Sequence, residues 1–289
     1  MWELPAGGLR VTGGDRVAFL QGQLTGNVNA APTPGMLDAL LLNPRGQLEF
    51  QARVYRRAED LYLQTPGGTG PAVLGRLARY VVFDDVCLQP LDDVLRLLHV
   101  TTPPTVLGSL DADKLVQELD GPFGRVLVAR VTRCATPGWD LTVLGDQLGA
   151  VSAALNTADF EPGDQAALLA WRVATGRADV TDDGFEGFLP QECGLGALVA
   201  ADKGCYVGQE TMARLEARGS VHRRLARIAG SGELAQEREV SAGGRVVGRL
   251  GRAVLDANGG WQALAVVLEA AAAGPLSVVG SPVTLQWAQ

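Results

Sequence analysis

The sequence predicts an α+β fold that ends in a small all-β barrel. Before about residue 220, short apolar strands mix with amphipathic helices, which is typical of α+β domains rather than a doubly wound parallel sheet. This pattern repeats in outline after about residue 100. Beyond Gly219 the chain changes to short strands separated by glycine-rich turns, which predicts a barrel of about 65 residues. We therefore predict one region over residues 1–222, subdivided near residue 100, and a barrel domain over 223–289.

In the first half, two helices begin at residues that are typical of helix N-termini, and strands lie between them. Asp15 is placed as the N-cap of a helix, and Pro71 stands at the first position of another. Alternating apolar residues and turn residues mark the strands. The predicted strands are 9–12, 36–42, 47–56, 61–63, 86–88 and 94–100, and the second helix covers 71–80.

The second half repeats the mixture and then becomes all-β. Alanine- and leucine-rich segments predict helices, and the apolar segments between them predict strands. The predicted helices are 112–119, 147–155 and 164–175, with strands 126–131 and 141–144. The predicted barrel strands are 224–228, 244–250, 261–268 and 282–287.

Composition describes a cytoplasmic globular protein. The chain has 289 residues, 47% of them hydrophobic, and a net charge of −7. No apolar run reaches the ~18 residues that a membrane span needs, and the N-terminus has no cationic leader before an apolar stretch. The negative charge disfavours nonspecific binding to nucleic acid. Arginine clusters at 214–227 and 245–252 indicate surface arginines, a site for an anionic small molecule or, as the least favoured alternative, an RNA contact.

The four cysteines do not predict a metal site. They are Cys87, Cys134, Cys193 and Cys205, with no Cys-x-x-Cys pair among them. A structural zinc site and a permanently bound iron–sulfur cluster would both need more clustered ligands. We expect the first three cysteines to be ordinary core residues.

The segment 203–210, Lys-Gly-Cys-Tyr-Val-Gly-Gln-Glu, places one thiol beside a lysine where a helix begins. If the helix starts near Val207, its dipole and Lys203 both favour the thiolate of Cys205. Cys205 and Lys203 are therefore the candidate catalytic residues. The alternative is a small buried cysteine at a tight turn. The candidate structural residues of this motif are Gly204, Tyr206, Gly208, Gln209, Glu210 and Arg214; Glu210 and Arg214 have the spacing of a helical ion pair.

This block, together with 188–192 before it and 214–219 after it, resembles the signature of the YgfZ family. Weaker similarities occur at 19–25, 43–46 and 246–250, so the resemblance covers the whole chain. YgfZ proteins are folate-binding proteins tied to iron–sulfur cluster maintenance, within the superfamily of the glycine-cleavage T-protein (GcvT), an aminomethyltransferase. The resemblance implies two α+β domains around a central folate channel, followed by the barrel. It also implies tetrahydrofolate, or a one-carbon derivative of it, as the cofactor.

The resemblance also implies folate-binding residues. A pterin ring presents paired N–H donors that a carboxylate accepts, and Asp140, between Trp139 and Leu141, matches the superfamily's pterin-binding acid. The alternative for Asp140 is a strand-end carboxylate in water. Arg172 matches the arginine that binds the glutamate tail. Glu192 is either a ligand of the folate or the ion-pair partner of Arg172.

One departure from the superfamily's sequence pattern argues against glycine-cleavage chemistry. The superfamily's catalytic aspartate should fall in the stretch 64–71, which contains no carboxylate. The first hypothesis is therefore a tetrahydrofolate-binding factor for the assembly or repair of iron–sulfur proteins, with those clients or assembly proteins as partners and an indirect effect on tRNA modification. The second is a folate-dependent aminomethyl or one-carbon transferase. The third is a folate-binding module in which Cys205 is inert.

Overall fold

The chain forms two compact units in the computed structural model, which describes residues 1–133, 137–232, 238–256 and 259–288. The first unit comprises Met1–Ala39 and Ala52–Asp164, and the second comprises Leu40–Gln51 and Gln165–Gln289. The predicted boundaries at 222 and near 100 fall inside these units. Cys134 lies outside the described residues.

The first unit is built on two antiparallel five-stranded sheets. Its strands are β1 Trp2–Leu4, β2 Ala6–Thr12, β3 Gly35–Leu42, β4 Leu48–Arg56, β5 Leu61–Pro66, β6 Cys87–Pro90, β7 Leu95–Val100, β8 Val116–Gly121, β9 Gly124–Thr132 and β10 Pro137–Leu144; its helices are α1 Arg16–Gln23, α2 Gly70–Ala78 and α3 Leu148–Thr157. One sheet has the order β1-β7-β10-β9-β8 and the other β3-β4-β5-β2-β6. The tip of the β3–β4 hairpin, 40–51, belongs to the second unit.

Strand register determines which side chains of the first unit meet. Asp140 of β10 lies opposite His99 of β7, and Tyr55 of β4 lies opposite Tyr62 of β5. Because directly opposite residues in an antiparallel pair share one face of the sheet, each pair is presented together. The two sheets share a core cluster, in which Tyr55 and Tyr62 pack with Leu127 and other apolar residues of β8 and β9.

The second unit combines two helices with a closed six-stranded barrel. The helices are α4 Gln165–Ala174 and α5 Gln209–Arg218, and the strands are β11 Arg223–Ser231, β12 Glu239–Ala242, β13 Arg245–Leu255, β14 Gly260–Leu268, β15 Leu276–Val278 and β16 Ser281–Trp287. The barrel closes in the order β11-β14-β13-β12-β15-β16. This confirms the predicted α+β fold with a C-terminal barrel.

One hydrophobic core joins the parts of the second unit. Leu42 and Leu48 from the hairpin tip pack in the same cluster as Val173 of α4, Met212 of α5 and Leu264 of the barrel. A separate cluster, centred on residues such as Trp261, fills the barrel itself.

Two element predictions are wrong in detail. The segment predicted as a helix at 112–119 instead contributes β8, whose backbone pairs with β9 over its whole length. Cross-strand pairing overrides the modest helix preference of this short segment. Helix α5 begins at Gln209 rather than near Val207, because Gly208 takes a left-handed conformation, with φ of 88°.

Candidate functional site

A buried charge cluster surrounds Asp140 in the first unit. The Asp140 side chain is fully buried, and its Oδ1 lies 2.9 Å from Nδ1 of His99. Arg133, just beyond β9, donates to the same carboxylate through Nε at 2.8 Å. Arg53 of β4 donates to Oδ2 at 3.2 Å and to Oδ1 of Asp38 at 2.7 Å. Asp140 is therefore a fixed counter-ion for two arginines rather than a strand-end carboxylate in water.

The arginines keep Asp140 ionised. Burial by itself would raise the pKa of the Asp140 carboxyl, but the charge of Arg133 and hydrogen bonds from His99 and Arg133 outweigh burial and hold that pKa well below its ordinary value. The carboxylate therefore stays negative at neutral pH. Both of its oxygens already accept hydrogen bonds.

Several polar atoms in this part of the first unit are buried without a hydrogen-bond partner among the described residues. They include Nε2 of Gln64, Oγ1 of Thr142 and Oη of Tyr62. Gln64 lies opposite Arg53 on the neighbouring strand, and Thr142 lies two residues after Asp140 and so on the same face of β10. The rings of Tyr55 and Tyr62 stack with centroids 5.5 Å apart. Since buried polar groups are normally paired, these atoms indicate a place where a polar ligand or water binds.

Sequence reasoning identified Asp140 but missed the arginines that surround it. Arg53 lies two residues before the buried Tyr55 and so on the same face of β4, and this charged residue on the inward face was the available signal. His99 carried no signal beyond its position in an apolar strand.

The motif loop places Lys203 and Cys205 in different environments. Lys203 is buried, with Nζ 4.9 Å from the centroid of the Tyr206 ring, whereas Cys205 is exposed. Burial lowers the pKa of the Lys203 ammonium to about 8. An exposed thiol between Gly204 and Tyr206 is accessible to other molecules, so Cys205 is not the buried turn cysteine of the alternative interpretation.

Glycines and polar contacts hold this loop in shape. Gly204 and Gly208 both have positive φ, of 82° and 88°, a conformation that favours glycine. Oε1 of Gln209 accepts the Tyr206 N–H at 3.3 Å. Glu210 pairs with Arg214 at 2.7 Å, as the helical spacing predicted.

The hairpin tip packs against the start of α5. A Cβ on Gly208 would come within 2.9 Å of the Asn43 carbonyl and 3.1 Å of the Gly46 backbone, and one on Gly46 would come within 2.7 Å of Thr211. The turn 43–46 therefore fixes where the motif helix begins.

Arg172 pairs with neighbours other than the predicted one. It donates to Oδ2 of Asp183 at 2.5 Å and to Asp182 at 2.7 Å. The possibility that Glu192 is its partner is therefore wrong, because Asp183, fully buried, takes that place. Glu192 instead accepts the N–H of Leu189 at 3.0 Å, inside a short 3-10 helix turn.

Glu192 also approaches a cation of the barrel. Its Oε1 lies 3.5 Å from the Arg223 guanidinium at the start of β11. Within the second unit Glu192 thus contacts Leu189 and Arg223, and its role as a folate ligand stays a prediction.

The cysteines differ from expectation in one case. Cys193 is buried, as predicted, and burial raises the pKa of its thiol. Cys87, expected in the core, is exposed, because β6 is an edge strand that pairs only through β2. In the described ranges no group of three or more His, Cys, Asp or Glu side chains is arranged to hold a metal ion.

Asp92 brings a carboxylate to the stretch 64–71 that lacks one. Its oxygens accept the N–H of Gly8 at 3.3 Å and of Gly70, the first residue of α2, at 3.1 Å. Both oxygens accept hydrogen bonds from backbone N–H groups, so Asp92 acts as a helix cap in this arrangement.

Among the residues described, no helix is long and apolar enough to cross a membrane.

Comparison with known proteins supports the resemblance. A tRNA-modifying protein YgfZ from Yersinia enterocolitica is 29% identical over 228 residues, 76% of this chain and 68% of that protein. A YgfZ from Yersinia pestis is 25% identical over 226 residues, with the same coverage. No family model matches the chain. These relatives confirm the predicted similarity to YgfZ.

The fold also has a solved counterpart. The glycine cleavage system aminomethyltransferase T from Bartonella henselae superposes with a TM-score of 0.82 over 100% of this chain and 84% of its own, at 16% identity. At that identity the match establishes the fold, and it agrees with the predicted superfamily.

Proposed function

We propose that this chain, a homologue of the YgfZ proteins with the aminomethyltransferase T fold, binds a tetrahydrofolate and supports the assembly or repair of iron–sulfur proteins. The observation that carries the proposal is the buried cluster around Asp140, in which unpaired polar atoms lie beside a fixed charge pair. The names of the relatives support an effect on tRNA modification, which we infer to be indirect, through iron–sulfur clients.

The polar atoms of the cluster fit the edge of a pterin ring. A pterin offers a carbonyl acceptor and adjacent N–H donors. Nε2 of Gln64 can donate to the carbonyl, and the hydroxyls of Thr142 and Tyr62 can accept or donate. Burial raises the pKa of the Tyr62 phenol, so this hydroxyl keeps its proton. When bound, tetrahydrofolate supplies a carrier for one-carbon groups.

Direct binding of the pterin by Asp140 has one requirement. Arg133 occupies both carboxylate oxygens, so it must turn away before Asp140 can accept the ring N–H groups. Its side chain is 27% exposed, unlike that of Asp140, and a long arginine can reach solvent while its stem stays packed. We infer that Arg133 exchanges with the ligand on Asp140.

The role of Arg172 in binding the glutamate tail is a separate proposal. Its guanidinium is held by Asp182 and Asp183, so tail binding needs donors beyond those contacts. Arg172 has five N–H donors in its planar fork, and we propose that a donor not used by Asp182 and Asp183 binds the tail.

Cys205 is the proposed working thiol. Its exposure, together with the glycines around it, supports access by a client protein. We propose that a peroxide oxidises this thiol to a sulfenic acid and is itself reduced to water, and that Lys203, buried against Tyr206, acts by holding the loop.

Calorimetric titration with tetrahydrofolate, under nitrogen, tests the folate proposal. We expect a Kd below ~1 mM and stabilisation by mass action. Thr142→Val best separates an effect on binding from an effect on folding. Replacing an unpaired buried hydroxyl with an isosteric methyl should leave the stability of the protein unchanged or raise it. If that hydroxyl contacts the pterin, the variant binds tetrahydrofolate more weakly. Thr284→Val, on the exposed side of the barrel strand β16, is the matched control.

Absence of tetrahydrofolate binding would refute the folate proposal. Unchanged binding in both Thr142→Val and Asp140→Asn would refute the site while leaving the function open. Glycine-cleavage activity with purified partner proteins would instead support the transferase hypothesis.

A further inference from the structure

A cavity of about 440 Å³ lies beside α5 in the second unit. One of its walls is a single face of α5, formed by Gln209, Met212, Ala213 and Glu216 at helical spacing. Residues from the segment 191–201 form another wall, and Tyr206 of the motif loop closes one side. The motif that exposes Cys205 therefore also builds a cavity of the size that small ligands occupy.

Two side chains at this cavity, Gln191 and Glu216, offer hydrogen-bond acceptors. Nε2 of Gln191 is directed at Sδ of Met212, 3.5 Å away, and its Oε1 is buried without a hydrogen-bond partner among the described residues. The Glu216 carboxylate also lines the cavity, and none of the ion pairs found in the described ranges includes it. An acceptor that is buried and unpaired costs free energy unless a donor reaches it.

Glu216 and Tyr206 both line the cavity. The pKa of the Tyr206 phenol is raised, first by burial and then by the charge of Glu216. The carboxylate and the phenol thus face the same space. A cation placed there would interact favourably with both groups.

The position of Glu216 in α5 is unfavourable for the helix itself. It lies in the last turn, before the left-handed cap at Gly219, where the backbone carbonyls carry partial negative charge and an acidic side chain is destabilising. Glu210, in the first turn of the same helix, is placed favourably and paired with Arg214. Glu216 thus breaks a local preference of the helix, as residues at functional sites often do.

Apart from Gln209 and Ser220, the remaining lining is apolar. Val199, Leu215 and Val221 line the cavity together with the thioether of Met212. An apolar body with one cationic donor group matches this combination of surfaces.

We propose that this cavity binds a small molecule that carries a primary ammonium group on an apolar body, with the ammonium held by Glu216 and by Oε1 of Gln191. The carbonyl end of α5 adds to the attraction for a positive charge. All of the contributing residues belong to the second unit, so the proposal does not rest on folate binding.

Calorimetry with a matched pair of probes tests this proposal. 2-Phenylethylamine is cationic at pH 7, and 2-phenylethanol has nearly the same shape without the charge. We expect the amine to bind with a Kd below ~1 mM and at least ~10-fold more tightly than the alcohol. Glu216→Gln should reduce amine binding by about tenfold and leave alcohol binding unchanged. Glu210→Gln, the same change at the other end of α5, should leave both unchanged.

Two further variants make the test independent of folding defects. Glu216→Gln should melt at the wild-type temperature or above it, because it removes an unfavourable charge from the helix end. Ala213→Trp should fill the cavity and abolish the binding of both probes.

Equal binding of the amine and the alcohol, no binding of either, or equal losses in Glu216→Gln and Glu210→Gln would each overturn the proposal. An acetylated, amidated pentapeptide with a central lysine serves as a third probe. If it binds more than ~10-fold more tightly than the amine, the cavity takes a protein's lysine side chain, and the small-molecule class is wrong.

Discussion

Arg53 on β4 and Asp140 on β10 form an ion pair of 3.2 Å that joins the two sheets of the first unit. Asp140 has no exposed surface, and Arg53 is 14% exposed. A charge so deeply buried depends on its partner, since desolvation is costly unless it is compensated. Loss of this carboxylate therefore removes the ion-pair partner of Arg133 and leaves Arg53 paired with Asp38.

Asp140→Asn should destabilise the protein by ~3–5 kcal/mol at pH 7, because Arg133 loses its buried counter-ion and Arg53 keeps only the partly exposed Asp38. The native pKa of Asp140 lies below the unfolded value of ~3.9, so its contribution is present above that pH and is lost as the pH falls through the native pKa. Urea unfolding from pH 7 to pH 3 should show the difference between wild type and variant shrinking. Asp120→Asn, exposed on β8, should show little effect; an equal loss there would contradict the argument.

Arg172→Met should cost ~3–5 kcal/mol, because it leaves Asp183 buried without its cation. Arg252→Met removes a more exposed partner of Asp182 and should cost no more than ~1 kcal/mol. Urea unfolding measures both. Equal effects of the two substitutions would show that the buried pair is not the stronger one.

Lys203 should make stability rise with pH in the alkaline range. Burial lowers its native pKa to about 8, whereas an unfolded lysine titrates near ~10.4. Between these values the unfolded chain binds more protons, so the free energy of unfolding increases with pH. We expect wild type to gain stability relative to Lys203→Met between pH 8 and pH 10 in urea unfolding. A difference that stays constant with pH would exclude this titration.

Cys205 should react quickly with a thiol reagent, and Cys193 slowly, because one is exposed and the other buried. Cys205→Ser should leave the unfolding curve unchanged while iron–sulfur enzyme activities fall in cells that depend on this protein. Cys87→Ser, at another exposed thiol, is the matched control and should leave those activities intact. If both variants behave alike in cells, Cys205 has no special role.

Gly208→Ala should be more destabilising than Gly204→Ala. Both glycines have positive φ, which costs an alanine ~1–2 kcal/mol. Only at Gly208 would the new methyl meet backbone, at 2.9 Å from the Asn43 carbonyl; nothing lies within 4 Å at Gly204. Overpacking adds roughly 1–3 kcal/mol, so thermal unfolding should separate the two variants. Equal losses of stability in the two variants would mean that the turn 43–46 moves to make room for the methyl group at position 208.

Most strands and helices could be predicted from the sequence, because their patterns are local. The helix that starts after Asp15 and the strand that contains Tyr55 both follow directly from periodicity. The segment ending in β8 was predicted wrongly, since its conformation depends on pairing with β9.

The motif residues of the candidate site could be predicted from the sequence, but the residues that surround them could not. Asp140 and Cys205 stand in recognisable motifs, but the partners of Asp140 come from other strands. Register brings His99 to it, and packing of the second sheet brings Arg53. The environment of Lys203 likewise depends on packing against Tyr206. Spatial neighbours that are distant in sequence leave no periodic signal.

The hairpin tip 40–51 limits which segments of this protein can be exchanged by recombination. Leu40, Leu42 and Leu48 belong to the core of the second unit, although the rest of that unit begins more than a hundred residues later. A recombination event that exchanged 165–289 for the same stretch of a distant relative would import a core shaped for a different hairpin. Substitutions in the tip and in that core are therefore expected to accumulate together, and a chimera should regain stability when 40–51 is transferred with its own C-terminal half.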